Sequence, residues 1–232
     1  MKATVVIPAF NESAVIATVL KSIPKKLPGV TSLEIIVVDD GSFDNTAQIA
    51  RYALPASRQG KVKVIRHLLN RGVGAATKTG LEYAKNRTDI IITFDADGQH
   101  HPDDIKRVIN PIIKKNADLV IGSRFIKRQR IPLDRLLLNW LANLATFFLF
   151  GIFSTDTQSG FKAFSQKALR TIDIKSDRME FSSEILLEAK RNNLRIMEVP
   201  IRSIYTNYSR KKGQKNINAL PIFARLLIKL FR

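Results

Sequence analysis

The sequence predicts an α/β fold in which a mostly parallel central sheet carries helices on its faces. Two observations lead there. Short apolar runs alternate with segments of helical spacing, and the early runs end in polar loops rich in carboxylates. At 232 residues with 45% apolar content the chain has ample material for a core, read here as one domain spanning 1–232. There is no cysteine, which excludes disulfides and thiolate chemistry.

The first strand, residues 4–8, ends in Pro8-Ala9-Phe10-Asn11-Glu12, and a helix is expected over 12–23. Phe10 offers an apolar face and Glu12 an acceptor. The second strand, 33–39, closes on Asp39 and Asp40 before Gly41-Ser42. A carboxylate here can accept from a nucleobase or ribose, and Gly41 permits close backbone approach. Ser42 or Asp44 caps the next helix, 44–54. The third strand, 61–66, leads to Asn70-Arg71-Gly72-Val73-Gly74. This resembles half a dinucleotide fingerprint, but Thr77 holds the third glycine position and the motif follows the wrong strand. It reads as the start of a helix over 74–85, with glycines near phosphates.

The fourth strand, 90–95, opens the most informative stretch, Thr93 to Asp104. Asp95 and Asp97 stand one residue apart at the C-terminal end of the strand, where such sheets bind ligands. Together they can share a hard divalent cation that in turn holds a diphosphate. With Gln99 as a further oxygen the set suits Mg²⁺ or Mn²⁺, whereas His100 and His101 lack a third zinc ligand at suitable spacing. A helix at 103–115 and a strand at 119–122 continue the alternation. The loops at 8–12, 39–46 and 95–99 should converge on one sheet edge.

Beyond Arg124 the pattern changes. Residues 133–153 approach the length of a membrane span, yet Arg135, Asn139 and Asn143 recur at i, i+4 and i+8 as one polar stripe with Trp140 on the other side. A helix lying in the membrane interface, or packed on the domain, fits better. The segment at about 219–232 repeats the idea, with Arg225, Lys229 and Arg232 on one face. The balance of 38 Lys+Arg against 20 Asp+Glu gives +18 and calls for an anionic partner. The basic stretches alternate with Phe and Leu, which favours a membrane surface over nucleic acid. The amino terminus runs directly into a strand and lacks a signal-peptide pattern, which suggests peripheral association with the cytoplasmic face.

Taken in order, VVIPAFNE, IIVVDDGSFDNT, NRGVGAATKTG, FDADGQHHPDDI, IGSRF, DTQSGFKAF and FSSEILLEAKRNNLRIMEVPI resemble the family 2 glycosyltransferases, which have the GT-A fold. The resemblance is strongest to the polyprenyl-phosphate (dolichol-phosphate) mannose synthase group. It implies that Pro8, Phe10, Glu12 and Asp39, with Asp40 beside them, hold the nucleoside of a nucleotide-sugar. Asp95, Asp97 and Gln99 would hold the cation bridging its diphosphate. Arg124 would bind the phosphate of a lipid acceptor, with Arg135 as a second phosphate-binding arginine and Asn139 where a serine is usual. The basic loop 209–215, with Lys211 and Lys215, matches a segment near the diphosphate, although its SRKKGQK wording departs from the commoner glycine-x-serine-lysine form. Asp156 and Gln158 would line the acceptor side.

The activity so implied is inverting transfer of a hexose, mannose from GDP-mannose foremost, to a polyprenyl or dolichyl phosphate. The alternatives are a UDP-glucose-dependent synthase, transfer to a non-lipid hydroxyl, and, outside enzymes, a basic nucleic-acid-binding module. The acceptor decides the chemistry. A hydroxyl needs a carboxylate to take its proton, and Asp156 is the obvious candidate. A phosphate monoester, with a second pKa of about 6, is already ionised at neutral pH and needs only positioning and charge offset. Arg124 and Arg135 suit that role, and Asp97 with its cation would stabilise the leaving diphosphate.

Overall fold

The computed structural model describes residues 1–55, 62–205 and Tyr208. The expectations for Lys211, Lys215 and the helix at about 219–232 fall outside the described residues. In chain order the elements are β1 (Lys2–Ala9), α1 (Ile16–Ser22), β2 (Ser32–Asp39), α2 (Thr46–Tyr52), β3 (Val62–Arg66), α3 (Val73–Ala84), β4 (Ile90–Thr93), a 3₁₀ turn (Pro102–Asp104), α4 (Ile105–Ile113), β5 (Leu119–Ser123), α5 (Leu133–Phe150), β6 (Lys162–Ser165), α6 (Gln166–Thr171), α7 (Phe181–Arg191) and β7 (Ile196–Pro200). They build a seven-stranded sheet of order β3-β2-β1-β4-β6-β5-β7. Only β6 runs antiparallel to its neighbours.

Both faces of the sheet are covered, so its strands read as nearly continuous apolar runs. Alternation along each strand divides the core in two. Val5, Ile7, Ile90 and Ile92 pack with α1 and α4 on one face. Val6, Ile36, Ile91 and Phe164 pack with α3, α6 and α7 on the other. The chain grows outward from β1 to β3, then returns to place β4 on the other side of β1. The C-terminal ends of β1 and β4 therefore flank a topological switch point, and the loops 8–12 and 95–99 leave from it.

Two helix starts come later than expected. Asn11 has a left-handed backbone (φ 53°), and Glu12 O accepts from both Val15 N and Ile16 N, so α1 begins only at Ile16. Asp44 Oδ1 accepts from Thr46 N (3.0 Å), and α2 starts there.

Helix α5 is inverted relative to an ordinary surface helix. Asn139 and Asn143 both donate from Nδ2 to Thr155 O (2.9 and 2.8 Å), and Asn143 Oδ1 accepts from Thr157 N (3.0 Å). The polar stripe thus faces the protein. The outward side carries Leu133, Leu137, Trp140 and Phe148 at 83, 58, 57 and 75% exposure, followed by Phe153 at 84%. No described helix is long and apolar enough to cross a membrane.

Candidate active site

The loops after β1 and β2 interlock. Asn11 N donates to Ser42 Oγ (2.9 Å), Phe43 N to Asn11 Oδ1 (2.9 Å), and Glu12 N to Thr46 Oγ1 (2.8 Å). Pro8 sits in register with Val38 at the head of this pair, and Phe10 meets Phe43 edge to face, with ring centroids 6.1 Å apart. Tyr208 donates to Glu12 Oε2 (2.8 Å).

The two carboxylates closing β2 have different fates. Asp39 is fully buried. Its Oδ1 accepts from Ser42 N (3.3 Å), while Oδ2 lies 3.1 Å from Arg66 Nε without hydrogen-bond alignment and is left with no hydrogen-bond partner. Asp40, expected at the nucleoside, is instead filled by the chain itself: His67 Nδ1, Asn70 Nδ2, Arg71 N and Gly72 N surround its two oxygens. Four partners saturate a carboxylate. The glycines of 72–74 serve the fold. A Cβ on Gly72 or Gly74 would run into the backbone of residues 176–178, and Ala75 N donates to Asp177 O (3.0 Å).

Across the switch point, Asp97 Oδ1 accepts from Gln99 N (3.0 Å) and Asp97 Oδ2 from Gln99 Nε2 (2.5 Å). His100 lies next to this pair. It is buried against Phe94 and Phe161, and its Nε2 lies 2.8 Å from Asp95 Oδ2. Burial resists the ionisation of both aspartates, and their neighbours separate them. His100, Arg124 and Lys162 outweigh burial at Asp95 and pull its pKa down. At Asp97 the charge of Asp95 adds to burial and the pKa rises. Gly160 lies beneath Asp95, so close that any Cβ would overlap both carboxylate oxygens.

A second cluster centres on Arg124. Its Nε and Nη2 donate to Asp156 Oδ2 and Oδ1 (2.8 and 2.7 Å), and its backbone N–H also reaches Oδ2 (3.1 Å). Burial alone would lower the pKa of Arg124, but fully buried Asp156 more than offsets this and the pKa rises. The loop carrying Asp156 is held from two sides. Glu198 on β7 accepts from Ser154 Oγ (2.5 Å) and from Thr155 N and Oγ1 (2.9 and 2.5 Å), while Asn139 and Asn143 grip Thr155 O. Asn139, expected at the acceptor phosphate, gives its Nδ2 to that loop while its Oδ1 is buried without a hydrogen-bond partner, and Arg135 stands one turn earlier on the same stripe. Gln158 donates from Nε2 to Ser183 Oγ (3.1 Å).

Sequence reasoning overlooked Lys162, Glu198 and Gly160. Lys162 is buried, donates to Ser159 O, and has its pKa lowered by desolvation to about 8 despite Asp156 and Asp95 nearby. Each lies inside a quoted stretch, DTQSGFKAF or MEVPI, and for Lys162 and Glu198 a charge within such apolar text was the available signal.

A family profile described as glycosyl transferase family 2 matches residues 4–173. The chain is 42% identical over 240 residues to a UDP-N-acetylglucosamine–dolichyl-phosphate N-acetylglucosaminyltransferase of Methanococcus voltae, covering 96% of this chain and 94% of that one. It is 30% identical over 204 residues to a polyprenol monophosphomannose synthase of Mycolicibacterium smegmatis, covering 85% and 75%. Among solved structures, the glucosyl-3-phosphoglycerate synthase of Mycobacterium tuberculosis, in complex with Mn²⁺, uridine diphosphate and glucosyl-3-phosphoglycerate, superposes with a TM-score of 0.68 at 22% identity over 97% of this chain and 79% of that one.

Proposed function

The chain belongs to glycosyl transferase family 2, and from that membership and the geometry above we propose that it transfers a sugar from a nucleoside diphosphate to a polyprenyl or dolichyl phosphate. In this reading the reaction takes place at the cytoplasmic face of a membrane. One observation carries the reading. Asp156, the carboxylate that a hydroxyl acceptor would need as a base, is locked in a bidentate pair with Arg124. A fully buried carboxylate held this way is poorly placed to accept a proton, whereas the cation it orients is well placed to receive an anion. The pair uses two of the five N–H donors of the guanidinium, leaving others for phosphate oxygens. A phosphate nucleophile arrives already ionised and needs no base.

The acidic edge fits a divalent cation. Its donors are hard oxygens, and burial plus the charge of Asp95 resist ionisation of Asp97, a condition that a bound cation relieves. Among the described residues no three His, Cys, Asp or Glu side chains gather to hold a metal. Asp95 and Asp97 would therefore share the ion with Gln99 and with diphosphate oxygens. When bound, Mg²⁺ or Mn²⁺ would neutralise charge on the departing diphosphate. Asp39 Oδ2, buried with no hydrogen-bond partner, would take a nucleoside N–H or O–H, with Phe10, Pro8 and Glu12 around it. Attack in line from the Arg124 side inverts the anomeric carbon. Arg135 approaches the same phosphate from α5, and Lys211 and Lys215 would meet the diphosphate.

Within this class the GDP-mannose expectation has a competitor, because the M. voltae relative is named for UDP-N-acetylglucosamine. Both donors and UDP-glucose should be incubated with Mn²⁺ and a polyprenyl phosphate in liposomes. The expected product is a lipid-phosphate sugar from one of them, with Arg124→Ala raising the acceptor KM or collapsing kcat while nucleotide-sugar binding is kept. Transfer to a plain alcohol in preference to the phosphate would overturn the reading.

A further inference from the structure

The segment after β7 runs back across the site. Ile201 N donates to Ser123 O (2.9 Å) and Ile204 N to Gln99 O (2.8 Å), and His100 and Ser203 form an antiparallel bridge. Gln129 ties the same segment to Arg124. Its Nε2 donates to Arg124 O (2.5 Å) and Ile201 O (3.1 Å), and its Oε1 accepts from Ser203 N (3.0 Å). Residues 201–205 therefore form a strip between the cation loop and Arg124.

In an extended strip alternate side chains share a side. Arg202 and Ile204 are exposed. Ser203 and Tyr205 belong to the other set. The Tyr205 hydroxyl and Ser203 Oγ are both buried with no hydrogen-bond partner among the described residues. The Gln129 bridge from Arg124 O to Ser203 N brings the strip that carries Tyr205 alongside Arg124. A buried hydroxyl without a partner lowers stability, so such a group next to a guanidinium calls for a ligand that restores the bond.

We propose that the Tyr205 hydroxyl donates a hydrogen bond to the phosphate of the acceptor, beside Arg124. Tyr205 is then an acceptor-binding residue that senses the anionic head and not the lipid tail. Its hydroxyl shares the load with Arg124, whose guanidinium is partly committed to Asp156. The assignment rests on the reading of the acceptor as a phosphate monoester.

The test uses the full chain and Tyr205→Phe, which keeps the ring and removes only the donor. Each protein is titrated with farnesyl phosphate, with inorganic phosphate, and separately with UDP and GDP in Mn²⁺, and each is melted. Tyr205→Phe should weaken farnesyl phosphate and inorganic phosphate by the same factor, roughly tenfold, as for a hydrogen bond to a charged group. The nucleotide Kd should not move, and Tm should hold or rise because an unpartnered hydroxyl has gone. Equal farnesyl phosphate affinity in the two proteins overturns the proposal, and so does a loss confined to the nucleotides. A fall in Tm with binding intact makes Tyr205 structural and overturns it too. Wild-type protein that binds no farnesyl phosphate overturns the acceptor reading itself, and the proposal with it.

Discussion

Gly160 and Asp95 are in direct contact: the α-carbon of Gly160 lies under the Asp95 carboxylate, and a methyl group there would overlap both oxygens. Thr93 Oγ1, at the end of the strand that delivers Asp95, donates to Gly160 O (2.7 Å), which fixes the approach from the other side. The turn before β6 thus sets the height of an aspartate that reached the site from β4. Gly160→Ala should displace Asp95 and lower transfer by roughly a hundredfold, since misplacement by about 1 Å costs that much. Circular dichroism should show the fold retained. Full activity in the alanine variant would disprove the coupling.

Asp97 yields a prediction in which stability and activity part. Burial, reinforced by Asp95, holds its pKa above the ordinary carboxylate value. The folded chain binds that proton more tightly than the unfolded chain, so ionising Asp97 costs stability, and the cost vanishes as pH falls below the unfolded value. Asp97→Asn should therefore raise Tm at pH 7 in the absence of metal, with the gain fading towards about pH 3. The same variant should lose transfer and any Tm increase caused by Mn²⁺. Melting curves across pH, with and without Mn²⁺, check both halves. A lower Tm at pH 7 would contradict the electrostatic account.

The amino-terminal half of the fold was legible because parallel strands covered on both faces are continuous apolar runs, and each loop announced itself by carboxylates. The second half was not. Strand β6 is only four residues long and inserts antiparallel between β4 and β5, so its partners are distant in sequence. Its FKAFS text, with a buried lysine, has no alternation to read. Asp95 and Asp97 could be picked out from type and position, and Arg124 only through the family resemblance. The partners of Asp40 could not, because saturation of a carboxylate by four donors depends on how the 67–72 loop folds back. The polar stripe of α5 was read correctly as a stripe, but periodicity cannot say which face turns inward.

Lys162 gives the site a pH signature. Its folded pKa is lowered to about 8 by burial, against 10.5 ordinarily. Between those values the unfolded chain holds a proton that the folded chain has released, so stability contributed at this position rises with pH. The gain should reach about 3 kcal/mol as an upper bound near pH 10. Denaturant titrations at pH 7.5 and 10, for wild type and Lys162→Met, isolate the contribution as a difference. The wild type should gain on the variant as pH rises. A constant gap would mean that Lys162 keeps its proton in the folded state across this range, as it does in the unfolded one.

The outward face of α5 tests where the reaction takes place. An ordinary surface helix turns its apolar side inward, but here Asn139 and Asn143 are spent on Thr155 O while Leu137, Trp140 and Phe148 stand outside. Exposing that much contiguous apolar surface is unfavourable in water and calls for a cover. The basic stretch Lys127–Arg130 lies just before the helix, which suits anionic headgroups. The same helix secures the loop that presents Asp156 to Arg124, so a membrane under α5 would bring a lipid phosphate close to that pair. Leu137→Glu with Trp140→Glu should leave Tm within a few degrees, because neither side chain is in the core. Sedimentation with liposomes containing anionic lipid should fall roughly tenfold or more, since two interfacial apolar anchors are replaced by like charges. Transfer to a polyprenyl phosphate in liposomes should fall with it, while transfer to a short, detergent-free analogue such as farnesyl phosphate should persist. Liposome binding unchanged in the double variant would remove α5 as the membrane contact.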